Sequence, residues 1–330
     1  MKEATTMAKP KFVSNIRRLL NFNYTESLKT NNKALASIKK TLDAANTSTD
    51  EALAQIQKDL EALRKEATLQ RRHDDAMRSL AMMPLFEEMR KEYRAKQLGL
   101  LETVQTVSEN NLSFVRIGDG EIKLAFDITT NLGFQKNSTA LQKDLNDAMS
   151  GSLNRDDIIF GTPHTYRDRH WTMIWAQYWP EFREVIAPAA QLGNAHATRP
   201  LFFASEGEQG VEAWRSVWAG KKATIITGKS SRFDLIPQLF DNLAGSDRID
   251  SQDRHAYDDI PRIMAEVDKV TDTDIFLVAL GPAGTVLSHK IAETGRQAID
   301  VGHISDSYLA VFEGGARPES RPYSRTPAKQ

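Results

Sequence analysis

The sequence predicts an α/β protein with a Rossmann-like, largely parallel sheet flanked by helices and an N-terminal α-helical coiled-coil extension. Three observations carry this. From Ala223 to Val301, short apolar runs alternate with helical stretches, the pattern of parallel strands joined by crossover helices. The run Phe114 to Ile117 breaks at a glycine and leads into a helical stretch, which is where α/β proteins commonly place ligands. Near the start, Leu28, Leu35, Leu42, Thr49, Ile56 and Leu63 recur every seven residues among Lys, Glu, Asp, Gln and Asn, as in a narrow helical seam.

In chain order, residues 1–24 form a polar start and a basic amphipathic stretch, Lys11 to Phe22, suited to docking on the protein itself or lying on an anionic membrane surface. Residues 25–83 carry the heptad rhythm. Its companion positions slip by one place near Asn46 to Glu51, where Ser48 and Glu51 read as a capping box. The region is therefore expected as two helices in a hairpin or one interrupted helix. An exposed seam calls for a partner helix, so a homo-oligomer is expected through it. Pro84 is expected to end this region, and a helix is expected from Leu85 to Val107.

The α/β domain is expected over residues 84–313. Strands are expected at Ser113, Asp157 to Gly161, Leu201 to Ala204, Ala223 to Gly228, Asp274 to Leu280 and Gln297 to Val301. Helices are expected over 122–128 and 140–152, in the Trp-rich stretch holding Trp171, Trp175 and Trp179, and from the Gly281 turn to Glu293, with Gly295 as its stop. Residues 314–330, rich in Gly, Pro, Arg and Ser, read as a mobile tail.

The 330 residues carry a formal net charge of −1, which gives no electrostatic case for nucleic-acid binding. There are no cysteines, so disulfides and thiolate metal sites are excluded and a reducing compartment fits. No apolar stretch is long enough to span a bilayer, and no signal-peptide core is evident. The expectation is a cytoplasmic protein.

The chemistry concentrates in Ser113-Phe-Val-Arg-Ile-Gly-Asp-Gly-Glu121. If the chain is extended there, Asp119 and Glu121 face one side, and Gly118 and Gly120 let a ligand approach. Two convergent carboxylates suit a hard divalent cation that shares its oxygens with phosphate. Gly281-Pro-Ala-Gly-Thr285 places glycines between a strand and a helix start, where backbone N–H groups can meet an anion, joined by the Thr285 hydroxyl. Neither the P-loop nor the dinucleotide fingerprint is present. Lys229, Ser230 and Arg232 follow the Ala223 strand and would share that sheet edge. His303 and Asp300 follow the last strand. His164, Tyr166, Arg167, Arg169 and His170, with Trp171 and Trp175, can form either a sugar-binding wall or core.

Arg116-Ile-Gly-Asp-Gly-Glu121, followed far downstream by Leu280-Gly-Pro-Ala-Gly-Thr-Val-Leu287 and Gln297-Ala-Ile-Asp-Val-Gly-His-Ile304, resembles the GT-D-type glycosyltransferases from about Leu101 onward. The resemblance implies a metal-dependent transferase that moves a sugar from a nucleotide-sugar, such as a UDP-sugar, to a glycan or glycoprotein acceptor. It implies that Asp119 and Glu121 bind Mn2+ or Mg2+ against the donor diphosphate. Arg116, Gly118, Lys229, Ser230, Arg232, Gly281, Pro282, Gly284, Thr285 and His303 are the donor-binding candidates. Past His303 the chain departs from the family's acidic pattern; Tyr308 matches, while Ser305, Ser307 and Leu309 replace acids. Asp306 is the substitute general base and Glu313 the reserve. That departure also motivates a different class, a coiled-coil scaffold with a degenerate nucleotide-binding domain, and a phosphoesterase or nucleotidyl transferase is a third. Nucleotide binding without donor hydrolysis or transfer would mark the scaffold, and product analysis separates the third class from a glycosyltransferase.

Overall fold

The structure, a computed structural model, describes residues 11–44 and 49–321, with side chains described for 26–42 and 53–321. The chain forms two compact units. One holds the described residues up to Glu87 with Arg167–Thr172; the other holds Glu88–Tyr166 and the described residues from Met173.

The first unit is built on two helices, α1 (Lys11–Ala44) and α2 (Thr49–Met89), so the single-helix alternative is set aside. Ser48 of the expected capping box and the side chains of the basic segment lie outside the described residues. Both helices line one cavity of about 210 Å³, between Ser27, Thr30 and Asn31 of α1 and Leu63, Ala67 and Gln70 of α2. The half-buried row on α1 is Ser27, Thr30, Ala34, Ile38 and Thr41, at helical spacing and mostly small. Leu28, Leu35 and Leu42 lie outside that row and remain 44%, 61% and 55% exposed. Pro84 sits inside α2 rather than ending it, and the backbone widens into a π-turn over Arg90–Arg94, a local adjustment of the kind found where a helical ladder is interrupted.

The second unit begins with a correction. The helix expected from Leu85 to Val107 is broken, and α3 covers only Leu100–Glu109. Gly99 is its extended N-cap, and the Glu102 carboxylate accepts from the Gly99 N–H at 3.1 Å. The break lets Gln97 reach the Thr162 carbonyl at 2.8 Å. There follow β1 (Ser113–Arg116), α4 (Asp119–Phe126), α5 (Thr139–Leu153), β2 (Ile158–Thr162), α6 (Arg169–Ile186) and β3 (Gly193–Asn194). Then come α7 (Pro200–Trp218), β4 (Lys222–Gly228), α8 (Pro237–Phe240), β5 (Gly245–Ser251) and α9 (Ile260–Val267). The chain closes with β6 (Ile275–Ala279), α10 (Pro282–Glu293), β7 (Ala298–Asp300) and α11 (Ile304–Phe312).

Leu201 to Ala204, expected as a strand, opens α7 instead. Arg199 is extended, Pro200 takes the first helical position, and Phe203, Val211, Trp214 and Trp218 follow at helical spacing into the core. Trp214 stacks on Trp218 at 5.5 Å, and Trp218 on Phe240 at 4.9 Å. Both indole N–H groups donate to backbone carbonyls, of Ala197 and Leu239, each at 2.8 Å. Trp175 is likewise core, packed with Tyr93 and Phe182, and so is not part of a sugar-binding wall.

All seven strands pair in parallel in the order β3-β2-β1-β7-β6-β4-β5. From β1 the chain winds outward to β2 and β3, then crosses and returns through β4, β5 and β6 to β7 beside β1. The strand order therefore switches between β1 and β7, where an open α/β sheet leaves a crevice at its C-terminal edge. Among the described residues no helix is long and apolar enough to cross a membrane.

Candidate active site

The crevice is held by one buried ion pair. Arg116, the last residue of β1, extends to Asp300, the last of β7, with Nη2 to Oδ1 at 3.1 Å and Nε donating to the Asp300 carbonyl at 3.2 Å. Asp300 is 2% exposed, and burial pushes its carboxyl up to about 6 against the pull of Arg116. Its Oδ1 also accepts from the Gly302 N–H at 3.1 Å. Gly302 has φ +49°, and a Cβ there would lie 1.7 Å from Arg116 Nη2. Only glycine gives both the left-handed turn and the room for the guanidinium.

Beyond β1, the chain does not stay extended through the acidic pair. Gly118 is the extended N-cap of α4, so Asp119 and Glu121 occupy its first turn. The Glu121 carboxylate folds back to accept from the Gly118 N–H at 2.7 Å, the backward arm of a capping box. Desolvation raises its pKa, and Arg116 opposes the rise. Asp119 pairs with Lys123 at 3.0 Å and keeps 39% of its side chain exposed. The two carboxylates share a helix start, where negative charge is favourable. Among the described residues no group of three or more His, Cys, Asp or Glu could hold a metal ion. Two carboxylates beside an arginine-lined crevice nevertheless fit a small, hard cation that completes its shell with phosphate and water.

A cavity of about 380 Å³ opens beside Arg116, lined also by Gly281, Arg232, His303, Asp306 and Phe134. These bring together four of the expected site residues besides Arg116. Gly281 has φ +57°, and a Cβ there would meet the Phe134 ring at 3.1 Å, so its glycine serves the turn and the aromatic wall. Pro282, Gly284 and Thr285 are buried in the first turns of α10. The Thr285 hydroxyl donates to the Arg116 carbonyl at 2.8 Å, so it braces β1 rather than joining an anion site as expected. Gly228 and Ser231 line the cavity, whereas Lys229 is exposed and the Ser230 N–H is taken by the Asp253 carboxylate.

Arg232 and Asp306 are both buried and paired at 2.9 Å. His303 is held neutral by burial and by the charges of Arg199, Arg232 and Arg116. Its Nδ1 lies 3.3 Å from Arg232 Nη2 and, in the neutral ring, accepts from it. The described part of the expected mobile tail is anchored. Pro318 is buried, its carbonyl accepts from Arg232 at 3.0 Å, and Arg321 pairs with Asp306.

Several site residues escaped the sequence reading. Phe134, Gln252, Asp253 and His255 line the far side of the cavity. His255 has φ +54°, and its N–H donates to the Phe134 carbonyl at 2.8 Å. On the other side, His196 and Arg199 feel the charges of Arg116 and Asp119. The His196 ring lies 4.8 Å from Tyr166, which lies 4.9 Å from His164. Of the expected sugar-binding wall, His164, Tyr166 and Trp175 belong to this unit, and Trp175 is in its core.

The sequence model described as the glycosyltransferase GT-D fold matches residues 114–319, more than half of the chain. The chain belongs to the GT-D glycosyltransferase family. Among curated relatives, Glycosyltransferase GlyD of Streptococcus pneumoniae is 27% identical over 222 residues, 64% of this chain and 27% of that protein. The probable glycosyl transferase Gly of Streptococcus gordonii is 26% identical, covering 67% of this chain and 34% of that one. The chain thus spans about a third or less of the length of these relatives. Among solved structures, the highly conserved domain of unknown function 1792, described as a distinct glycosyltransferase fold, aligns with TM-score 0.61 at 24% identity, covering 71% of this chain and 87% of that one. A glycosyltransferase with the same domain from Streptococcus sanguinis aligns with TM-score 0.60 at 23% identity, covering 71% and 90%. At these identities the structural likeness speaks for the shared GT-D fold.

One consequence of the GT-D site is a pH dependence of stability. His196 is half-buried, and desolvation lowers its pKa from 6.5 to about 3. Between those values the unfolded chain binds a proton that the folded chain does not, so stability falls as pH falls through this window. Asp300, raised to about 6, acts in the opposite direction. Comparing His196→Gln with wild type isolates the histidine. In thermal melts at pH 7 and pH 4.5, the variant is expected to lose less stability on acidification. Equal losses would place the His196 proton equilibrium outside the fold.

Proposed function

We propose that this GT-D protein is a metal-dependent glycosyltransferase that takes a sugar from a nucleoside diphosphate sugar, with UDP as the nucleotide, and delivers it to a hydroxyl of a glycan or glycoprotein. The observation that carries this reading is the cavity at the β1/β7 switch point. It joins guanidinium and imidazole groups for a diphosphate to an aromatic wall for a base, beside the carboxylates of α4.

Each part then has a role. Arg116, fixed by Asp300, and Arg232, fixed by Asp306, receive phosphate oxygens. Neutral His303 orients between them. The nucleobase lies against Phe134 over the Gly281 turn. Asp119 and Glu121 hold Mn2+ or Mg2+, which supplies charge neutralisation for the departing diphosphate. The acceptor hydroxyl attacks the anomeric carbon, the bond from that carbon to the phosphate oxygen breaks, and a base takes the hydroxyl proton. Burial raises the pKa of Asp306 against the pull of Arg232 and Arg321, making it a stronger base than a solvated aspartate, and we assign it that task.

Cytoplasmic action, where nucleotide sugars are made, belongs to the same reading. So does self-association through the exposed Leu28, Leu35 and Leu42 row of α1. In light scattering at micromolar concentration, an oligomeric wild type and a smaller Leu35→Glu species are expected. A monomeric wild type would remove self-association from the proposal.

The catalytic assignment is tested by Asp119→Asn. With UDP-glucose and other UDP-sugars screened for metal-dependent hydrolysis, the variant should lose at least about 100-fold in rate, a loss typical of removing a charge that stabilises a transition state. Its melting temperature should stay close to wild type, because the side chain is part-exposed. Wild-type rates in that variant would refute the assignment.

A further inference from the structure

We propose that Arg199 is a phosphate-binding residue of the donor site and that Glu319, carried on a C-terminal strap, occupies the phosphate's place until a donor arrives. The proposal rests on the nucleotide-sugar reading above.

The strap begins where α11 ends. Gly314 turns the chain with φ +67°, and the Gly315 N–H donates to the Leu309 carbonyl at 2.9 Å. The chain then runs back over the crevice, and Pro318–Ser320 form a short 3-10 turn. Three contacts seat it. Arg232 donates to the Pro318 carbonyl, Arg321 pairs with Asp306, and Glu319 pairs with Arg199. Pro318 and Arg321 are themselves part of the cavity lining with Arg116, Gly281 and His303. The strap is therefore built into the wall of the site.

Arg199 is placed to meet an anion. It caps the start of α7, whose first turn holds no acidic residue, so the positive end of the helix reinforces the guanidinium. Its side chain is 23% exposed, and it lies near Arg116, Asp119 and Glu121, whose charges act on it. The anion it holds in this structure is a carboxylate of its own chain. Glu319 keeps 56% of its side chain exposed. An exposed carboxylate contributes little by pairing, whereas a diphosphate offers more oxygens and more charge to the same guanidinium. Glu319 is thus the member of the pair that yields. The Gly314–Gly315 pair gives the strap its hinge, since glycine absorbs backbone changes that other residues resist. Donor entry exchanges a carboxylate for a phosphate on Arg199 and loosens the strap whose Arg321 lies on Asp306.

The test is a double-mutant cycle read by calorimetric titration. Inorganic pyrophosphate and UDP, each with Mn2+, are titrated into wild type, Glu319→Gln, Arg199→Met and the double variant. Glu319→Gln is expected to bind about two- to fivefold tighter, the range given by removing one competing ion pair. That gain is expected to vanish in the Arg199→Met background. Unchanged or weaker binding by Glu319→Gln overturns the proposal, as does absence of pyrophosphate and UDP binding in every protein. If pyrophosphate shows the expected pattern and UDP does not bind, the strap inference stands and the UDP assignment falls. If UDP binds and Glu319→Gln changes nothing, the reverse holds. Glu319 is exposed, so its variant carries the test even if Arg199→Met melts early.

Discussion

The Arg116–Asp300 pair is the constraint on which the site depends. It ties the ends of two strands that are neighbours in the sheet and 184 residues apart in sequence. A buried charge pair stabilises only when its remaining hydrogen-bonding groups are met, and here the surroundings meet them. Gly302 gives the carboxylate an N–H and the guanidinium its space. Thr285 braces the Arg116 carbonyl from α10. Loss of any of these would leave a buried charge or carbonyl unsatisfied, which explains why a turn, a helix start and two strand ends are specified together. An ion pair of this kind fixes geometry more than it adds stability. The geometry it fixes is a guanidinium aimed along the C-terminal edge of the sheet, next to the start of α4.

Much of this frame was legible in the sequence because buried parallel strands are short apolar runs bounded by turn residues. Ile275–Ala279 and Lys222–Gly228 are of that kind. The polar edge strand Gly245–Ser251 is not; it exposes most of its residues and escaped notice. Leu201 to Ala204 misled for a different reason: four apolar residues fit a buried strand or a helix turn equally well, and the helix appears only when Trp214 and Trp218 are counted with them. The acidic pair is legible in its spacing and its family motif, but its geometry is not, because the two residues lie in the first turn of a helix rather than in an extended segment. Gly118, two residues past the end of β1, caps a helix, so the carboxylates project from α4. Arg199, His196 and Phe134 were not legible, since only the fold brings them beside Arg116.

The terminal regions differ from their sequence signals in an instructive way. The heptad leucines suggested the seam of the helix pair, yet α1 turns a row of small residues inward and leaves Leu28, Leu35 and Leu42 outside. Small residues permit close approach of helices, and leucines at seven-residue spacing on the outer face leave a surface suited to a further helix. At the other end, a Gly-, Pro- and Arg-rich segment reads as loose by composition. Three side chains of the site nevertheless hold residues 318–321: Arg232 donates to the Pro318 carbonyl, Arg199 pairs with Glu319, and Asp306 pairs with Arg321. Composition describes what a segment can do alone and says little about what a neighbouring site requires of it.

The central claim is that a diphosphate and a divalent cation meet between the Arg116 crevice and the start of α4. It is tested most directly by crystals grown with UDP and MnCl2 and measured at the manganese absorption edge. The expected result is one anomalous peak bonded to Asp119 or Glu121 and to a phosphate oxygen, with the base against Phe134. A peak on other residues, or nucleotide density away from Arg116 and Arg232, would contradict the claim.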